Sequence, residues 1–238
     1  MLYSFSYQDT LPRLPEIPGL RFAECEDPAV MAVLGQITLR EARQRLINDN
    51  RAWVAWLNDV AVAFGYVALG KARIGELNHE FIVPMNHGYL WNFRTLPDFR
   101  GLGIYPHLLQ AMIMAEQPAV ERFWILHAPE NEASRRGILK AGFTFMADVS
   151  LQHDVEQVIC RAAAADEEDF AELFGFRAAT GVAASCWKCS SPYVRKKDST
   201  CCCAEKSRKC TGALHTAIEQ TDESLIFMVR SKREHHGN

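Results

Sequence analysis

Long apolar runs are missing from this 238-residue sequence, and so is an excess of charge of one sign. No stretch approaches the roughly 20 apolar residues that a membrane-spanning helix needs. The first twenty residues also lack the basic start and apolar run of a secretory signal. The formal net charge of −3 argues against a polyanion as the partner of the whole chain. We therefore expect a cytoplasmic protein that has no membrane partner.

Cysteine is scarce outside one short segment. Only Cys25 and Cys160 lie elsewhere, whereas six of the eight cysteines fall between residues 186 and 210. Without a secretory signal, such a cluster favours a metal site over a disulfide framework. The remaining composition, 48% hydrophobic and 23% charged, is typical of a folded globular chain.

The order of apolar patterns predicts three parts. Residues 1–19, rich in proline and aromatic residues, are predicted to be an extended lead-in. Residues 20–161 alternate strand-like and helix-like segments, which predicts an α/β domain with a mixed, mostly antiparallel sheet flanked by helices. Residues 162–238 change in composition and are predicted to be a small, Cys-rich C-terminal appendage.

Local signals also predict three helix ends. Asp27 and Thr38 are predicted to cap the N-termini of two helices, and Gly142 is predicted to end a third as its C′ glycine.

One turn carries most of the chemical information. The sequence Arg100-Gly101-Leu102-Gly103 follows a predicted strand and precedes a predicted helix. Glycines let the backbone approach a ligand closely, and the free amides of a helix N-terminus bind phosphate groups. No Gly-Lys-Ser/Thr follows, which excludes a P-loop, and the third glycine of a dinucleotide fingerprint is missing.

The chain resembles the GNAT superfamily of acyl-CoA N-acyltransferases. Members carry Arg/Gln-x-x-Gly-x-Gly/Ala at such a turn; here Arg100 and Gly103 match, and Tyr105 stands where glycine or alanine is usual. A second family pattern, Asn-x-x-Ala/Ser followed by Gly-Phe, matches Asn131, Ser134 and Gly142-Phe143 at the family spacing. The resemblance covers about residues 20–161.

The resemblance implies a site for acetyl-CoA or another acyl-CoA. The turn amides would hold the pyrophosphate, the strand ending at Thr95-Leu96 would pair with the pantetheine arm, and Asn131 would contact that arm or only cap its helix. The residues implied to bind the co-substrate are Thr95, Leu96, Arg100, Gly101, Leu102, Gly103, Ile104, Tyr105, Asn131 and Ser134.

The catalytic groups are less well defined. Many family members place a tyrosine acid seven residues after the asparagine, but Ile138 stands there. Tyr105 is predicted either to replace that acid or to pack on its helix. Glu80 is the first candidate for the general base, ahead of Glu76, His79 and His87. Asn92 and Arg94 share a strand face by alternation, and they are predicted either to bind a substrate carboxylate or to lie on the surface.

The predicted function is transfer of an acetyl or other acyl group from acyl-CoA to a primary amine, in a direct ternary complex. The acceptor would be a small molecule or a peptide, and the enzyme a monomer or homodimer. Two alternatives stay open. One is a CoA-binding sensor or scaffold with little or no activity. The other is an RNA-directed acyltransferase, based on the seven basic and two acidic residues of segment 186–210, although we expect no nucleic-acid partner.

The Cys-rich segment has its own hypothesis. Cys186 and Cys189 form a CxxC pair, a spacing that lets two thiolates bind one metal ion. With Cys203 and Cys210, or His215 as an alternate, they would complete a structural zinc site. Free thiols in a loop, redox chemistry and an iron–sulfur site remain alternatives.

Overall fold

The computed structural model describes residues 1–47, 49–152, 157–162, 168–179, 184 and 186–194. The strands, numbered β1 to β11 in chain order, are Leu2–Ser6, Leu20–Glu24, Asn50–Leu57, Val60–Ala68, Lys71–Ile74, His79–Ile82, His87–Thr95, Arg122–Leu126, Thr144–Gln152, Gln157–Ala162 and Arg177–Ala178. The helices, α1 to α6, are Pro28–Gly35, Leu39–Arg45, Ile104–Glu116, Glu132–Ala141, Glu168–Leu173 and Trp187–Ser190.

Nine strands form one sheet in the order β11-β10-β9-β1-β8-β7-β4-β3-β2, and β5 and β6 form a separate hairpin. Two neighbouring pairs are parallel, β7 with β8 and β10 with β11, and the other pairs are antiparallel. This confirms the predicted α/β class and its mixed sheet.

Helix ends follow the local sequence signals. Asp27 accepts a hydrogen bond from the amide of Ala29 at 2.7 Å, and Thr38 accepts one from Glu41 at 3.2 Å, so both predicted N-caps are confirmed. Gly142 ends α4 with a φ of 104°, a backbone conformation that favours glycine.

Each face of the sheet is covered by different elements. Helices α3 and α4 pack on one face with Val67, Leu90 and Ile125. The other face carries α1 and α2 above β3 and β4. Beside them lies a second cluster, in which Phe81 of the hairpin and Phe174 and Trp187 of the C-terminal segment pack together.

Both flanks of the chain enter this architecture. Within the predicted lead-in, Leu2–Ser6 form a strand between β8 and β9. Phe174, Phe176 and Trp187 lie beyond the predicted boundary at residue 161 and are buried in the same cluster as Trp124 of β8.

The Cys-rich module is not confirmed. Cys186 and Cys189 lie at α6 and are buried, whereas Cys203, Cys210 and His215 lie outside the described residues. Among the residues that the structure describes, no group of three or more metal-ligating side chains could hold an ion. A zinc site is therefore not supported. In the same part of the chain, no helix is long and apolar enough to cross a bilayer.

Candidate functional site

The two central parallel strands diverge. β7 and β8 pair from His87–Arg122 to Leu90–Ile125 and no further, although both strands are fully described. β7 continues to Thr95, paired on its other edge with β4. The β8-facing edge of β7 therefore has no described strand partner from Trp91 onward, and its backbone groups can bind an extended ligand.

A β-bulge marks the point of divergence. Asn92 has a φ of 54°, and the register between β4 and β7 shifts there. A Cβ atom on Gly65 would lie 2.1 Å from the Phe93 ring, so the ring covers this glycine. A bulge adds one residue to a strand. The regular alternation that would place Asn92 and Arg94 on the same strand face is therefore interrupted.

The turn after β7 has the geometry of an anion site. Gly101 and Gly103 both have a φ of 83°. Gly103 is the N-cap residue of α3, and no described side chain caps the first turn of that helix. The Nε of Arg100 donates to the Thr95 carbonyl at 3.1 Å. The uncapped start of α3 and the Arg100 side chain therefore line one common cleft.

An open cleft of about 560 Å³ runs from this turn to α4. Eight of the ten residues implied to bind the co-substrate line it; Leu96 and Leu102 do not. The lining residues are Phe93, Arg94, Thr95, Phe99, Arg100, Gly101, Gly103, Ile104, Tyr105, Pro106, Asn131, Ala133, Ser134, Arg136, Gly137 and Lys140.

Two cations in this lining were missed by the sequence analysis. Arg136 and Lys140 project from α4 into the cleft, and within the described part of the chain neither forms a salt bridge. Their spacing from Ala133 of three and seven residues is that of one helix face. That spacing was the signal in the sequence that could have identified them. With Arg94 and Arg100, the cleft is lined by four cationic side chains.

Tyr105 joins α3 to α4. A Cβ atom on Gly137 would lie 2.3 Å from the Tyr105 ring, so the ring packs directly on that glycine. Its hydroxyl group lies 3.3 Å from the Ser134 Oγ, and Ser134 in turn donates its amide to Asn131 at 3.1 Å. Burial raises the pKa of Tyr105, which keeps the phenol protonated.

The other predicted site residues are more dispersed. Arg94 donates to Gln36 Oε1 at 2.7 Å and to the Gly35 carbonyl at 3.3 Å, which ties β7 to the end of α1. Glu80 lies on the β5–β6 hairpin and forms a salt bridge with Lys71, with 48% of its side chain exposed. Lys71 lowers the pKa of Glu80. Glu80 and Asn92 do not line the cleft.

The remaining base candidates also hold structural contacts. His87 accepts a hydrogen bond from the Trp124 indole at 3.1 Å, and burial lowers its pKa. His79 lies 2.7 Å from the Phe174 carbonyl. Neither histidine, nor Glu76, lines the cleft.

Comparison with known proteins agrees with this geometry. The family model described as the acetyltransferase (GNAT) family matches residues 20–143, just over half of the chain. This match shows that the protein is of the acetyltransferase class, and that the chain belongs to the GNAT family. No curated protein matches the chain.

Several solved structures are similar over about half of the chain. A GCN5-related N-acetyltransferase from Kribbella flavida is 12% identical with a TM-score of 0.38, covering 52% of this chain and 46% of its own. The ribosomal-protein-S18-alanine N-acetyltransferase from Escherichia coli is 16% identical with a TM-score of 0.44, covering 56% and 83%. A predicted acetyltransferase with acetyl-CoA from Clostridium acetobutylicum is 18% identical with a TM-score of 0.39, covering 53% and 90%.

Proposed function

We propose that this protein transfers an acetyl or other acyl group from acyl-CoA to a primary amine of a small molecule or peptide. The observation that carries the proposal is one continuous cleft. It joins the uncapped N-terminus of α3, four cationic side chains and the open edge of β7. Phosphate groups suit the first two features, and an extended amide-containing chain suits the third.

The residues have distinct roles in this proposal. The amides of Gly103 to Tyr105 and the side chain of Arg100 hold the pyrophosphate. Arg136 and Lys140 add charge for the remaining phosphate oxygens. The edge of β7 from Trp91 to Thr95 binds the pantetheine amides, and the gap between β7 and β8 leads the thioester through the sheet.

Acyl transfer then needs one proton removed and one supplied. The amine nitrogen attacks the thioester carbonyl carbon, the C–N bond forms, and the C–S bond breaks. The amine loses a proton and the departing thiolate accepts one. No described cysteine lines the cleft, which supports direct transfer to the amine over a covalent enzyme intermediate.

Tyr105 is the proposed donor to the sulfur. It lines the cleft, stays protonated, and is held by Ser134. Glu80 remains the predicted general base, although its exposure and its salt bridge with Lys71 argue against this role. Arg94 and Asn92 remain proposed acceptor contacts, although the Arg94 guanidinium already holds the end of α1.

A charge placed in the cleft tests the proposal. Ala133 is exposed, lines the cleft and lies in the first turn of α4, so Ala133→Glu adds a carboxylate with no backbone strain and no loss of helix stability. We expect CoA affinity, measured by calorimetry, to fall by at least about tenfold through charge repulsion. The control Ala133→Gln, of the same size, should bind within about threefold of the parent protein.

Activity is followed by release of CoA thiol over a panel of amines. Thiol release with at least one amine, reduced in parallel with CoA affinity by Ala133→Glu, is the expected result. CoA binding without turnover of any amine would favour the sensor or scaffold alternative. Equal CoA affinity in both variants would overturn the assignment of the cleft.

A further inference from the structure

Glu130 connects the C-terminal segment to the loop that begins α4. Its two carboxylate oxygens accept hydrogen bonds from two successive backbone amides of α6, Trp187 at 3.0 Å and Lys188 at 3.2 Å. These are charge-assisted bonds, which are stronger than neutral ones. Glu130 therefore contacts a residue 57 positions later in the chain, in a helix outside the family-matched range.

The other end of this connection is firmly held. Trp187 is 1% exposed, and its indole donates to the Val149 carbonyl of β9 at 2.8 Å. The hydroxyl of Ser191 donates to the Glu76 carbonyl, beside the β5–β6 hairpin. Helix α6 is thus anchored to the sheet and the hairpin independently of Glu130, and it can serve as a fixed support.

The near end of the connection leads into the cleft. Asn131 follows Glu130 directly and caps α4 by accepting the amide of Ser134. Ser134 contacts the hydroxyl of Tyr105, and Asn131, Ser134 and Tyr105 all line the cleft. The amide of Asn131 also donates to the Ala128 carbonyl at 2.8 Å, so the loop at 128–131 is a tight turn.

We infer that Glu130 is a positioning residue, and that α6 uses it to hold Asn131 and Ser134 in the geometry that binds acyl-CoA. The inference rests on the proposed function of the cleft. It assigns to the segment beyond residue 143 a role in co-substrate affinity. Without the two hydrogen bonds to α6, the loop gains conformational freedom. Binding of acyl-CoA must then order the loop, which lowers the affinity.

The sign of the effect separates positioning from electrostatics. Glu130 is an anion beside a cleft proposed to bind an anion. If its charge alone mattered, Glu130→Ala would strengthen CoA binding. If it positions the loop, the same variant weakens CoA binding, and Glu130→Gln, which keeps one acceptor oxygen, falls between the two.

The experiment compares three variants of the full chain with the parent protein: Glu130→Ala, Glu130→Gln and Ser191→Ala. Ser191→Ala removes the tether of α6 to the hairpin and leaves the Glu130 bonds in place, so it controls for general loosening. We expect CoA affinity by calorimetry to fall about fivefold in Glu130→Ala, less in Glu130→Gln, and by less than twofold in Ser191→Ala. The KM for acetyl-CoA should rise while the KM for the amine stays constant.

Each outcome has a distinct meaning. Equal or tighter CoA binding by Glu130→Ala, with the parent protein binding normally, would overturn the positioning role. Equal losses in Glu130→Ala and Ser191→Ala would also overturn it, because they would show only general loosening. Failure of the parent protein to bind CoA would instead contradict the proposed function of the cleft.

Discussion

The middle of the chain and its two flanks build the same sheet by different means. In the middle, the turn at 100–105 lies between a strand and a helix that are its immediate sequence neighbours. In the N-terminal flank, β1 takes its partners from far away: Leu2 pairs with Leu126 and with Ala147. Local patterns can specify the first kind of element, whereas the second depends on contacts that no short window contains.

The flanks are nevertheless deeply buried. Tyr3 and Phe5 are each 1% exposed and pack with α3 and α4. Trp187 and Phe174, also 1% exposed, cover the opposite face beside Trp124. Burying such aromatic side chains contributes several kcal/mol each, so the flanks belong to the folding unit energetically, even though the family match ends at residue 143.

The largest expected effect tests this point in the C-terminal flank. Trp187→Ala would open a cavity among Trp124, Phe174 and Val149, and leave the Val149 carbonyl unpaired. We expect a loss of about 3–5 kcal/mol in the free energy of unfolding, measured by urea denaturation. Trp56→Ala is the control, since Trp56 is only half-buried beneath Arg21 and should cost clearly less.

The flanks would not be part of the folding unit if residues 20–161 folded independently. In that case Trp187→Ala would leave the urea midpoint of the main transition unchanged. A loss no greater than that of Trp56→Ala would also contradict the account of the C-terminal flank as part of the core.

A smaller effect is expected where the N-terminal strand meets β8. His127 is 5% exposed, stacks on Tyr3, and lies 2.8 Å from the Ala128 carbonyl through Nδ1. That carbonyl can only accept, so Nδ1 carries the proton and Nε2 faces the Tyr3 hydroxyl at 3.4 Å. Burial lowers the pKa of His127 to about 4, from 6.5.

This lowered pKa makes stability depend on pH. The folded protein binds a proton less readily than the unfolded chain, so the contribution is complete above pH 6.5 and is lost as the pH falls toward 4. The pKa difference corresponds to about 3 kcal/mol. His127→Gln cannot titrate, so the stability gap between parent and variant should change by about this amount between pH 7 and pH 4. Parallel pH profiles in urea denaturation would contradict this assignment.

The sequence predicted what local chemistry decides. The caps at Asp27, Thr38 and Gly142 depend on residues within a single turn, and the structure confirms them. The positive φ values of Gly101 and Gly103 likewise follow from a strand that turns at once into a helix. These features need no knowledge of distant residues.

Long-range contacts decide what the sequence did not predict. From sequence, residues 2–6 look like part of a proline-rich lead-in. They form a strand because they pair with β8 on one side and with β9 on the other. The bulge at Asn92 depends on the Phe93 ring covering Gly65 of the neighbouring strand. Arg136 and Lys140 become site residues because α4 packs beside α3, which the helix sequence alone does not show.

The smallest expected effect concerns Glu80, the base predicted from sequence. This carboxylate does not line the cleft. It lies on the β5–β6 hairpin, half exposed and paired with Lys71. Lys71 also lowers its pKa, which makes the carboxylate a weaker acceptor of an amine proton. From this geometry we expect Glu80→Gln to change kcat/KM by less than about twofold, within the range of exposed salt bridges.

A role as general base would give the opposite result. Removing such a group typically lowers turnover by about a hundredfold or more, with a changed pH profile of kcat. The matched control is Lys71→Met, which breaks the same salt bridge and keeps the carboxylate. If Glu80→Gln abolished turnover while Lys71→Met retained it, the hairpin would have to reach the acceptor side of the cleft during catalysis. If both variants turned over normally, the base would have to be sought nearer the opening between β7 and β8, where Trp91 begins the unpaired edge.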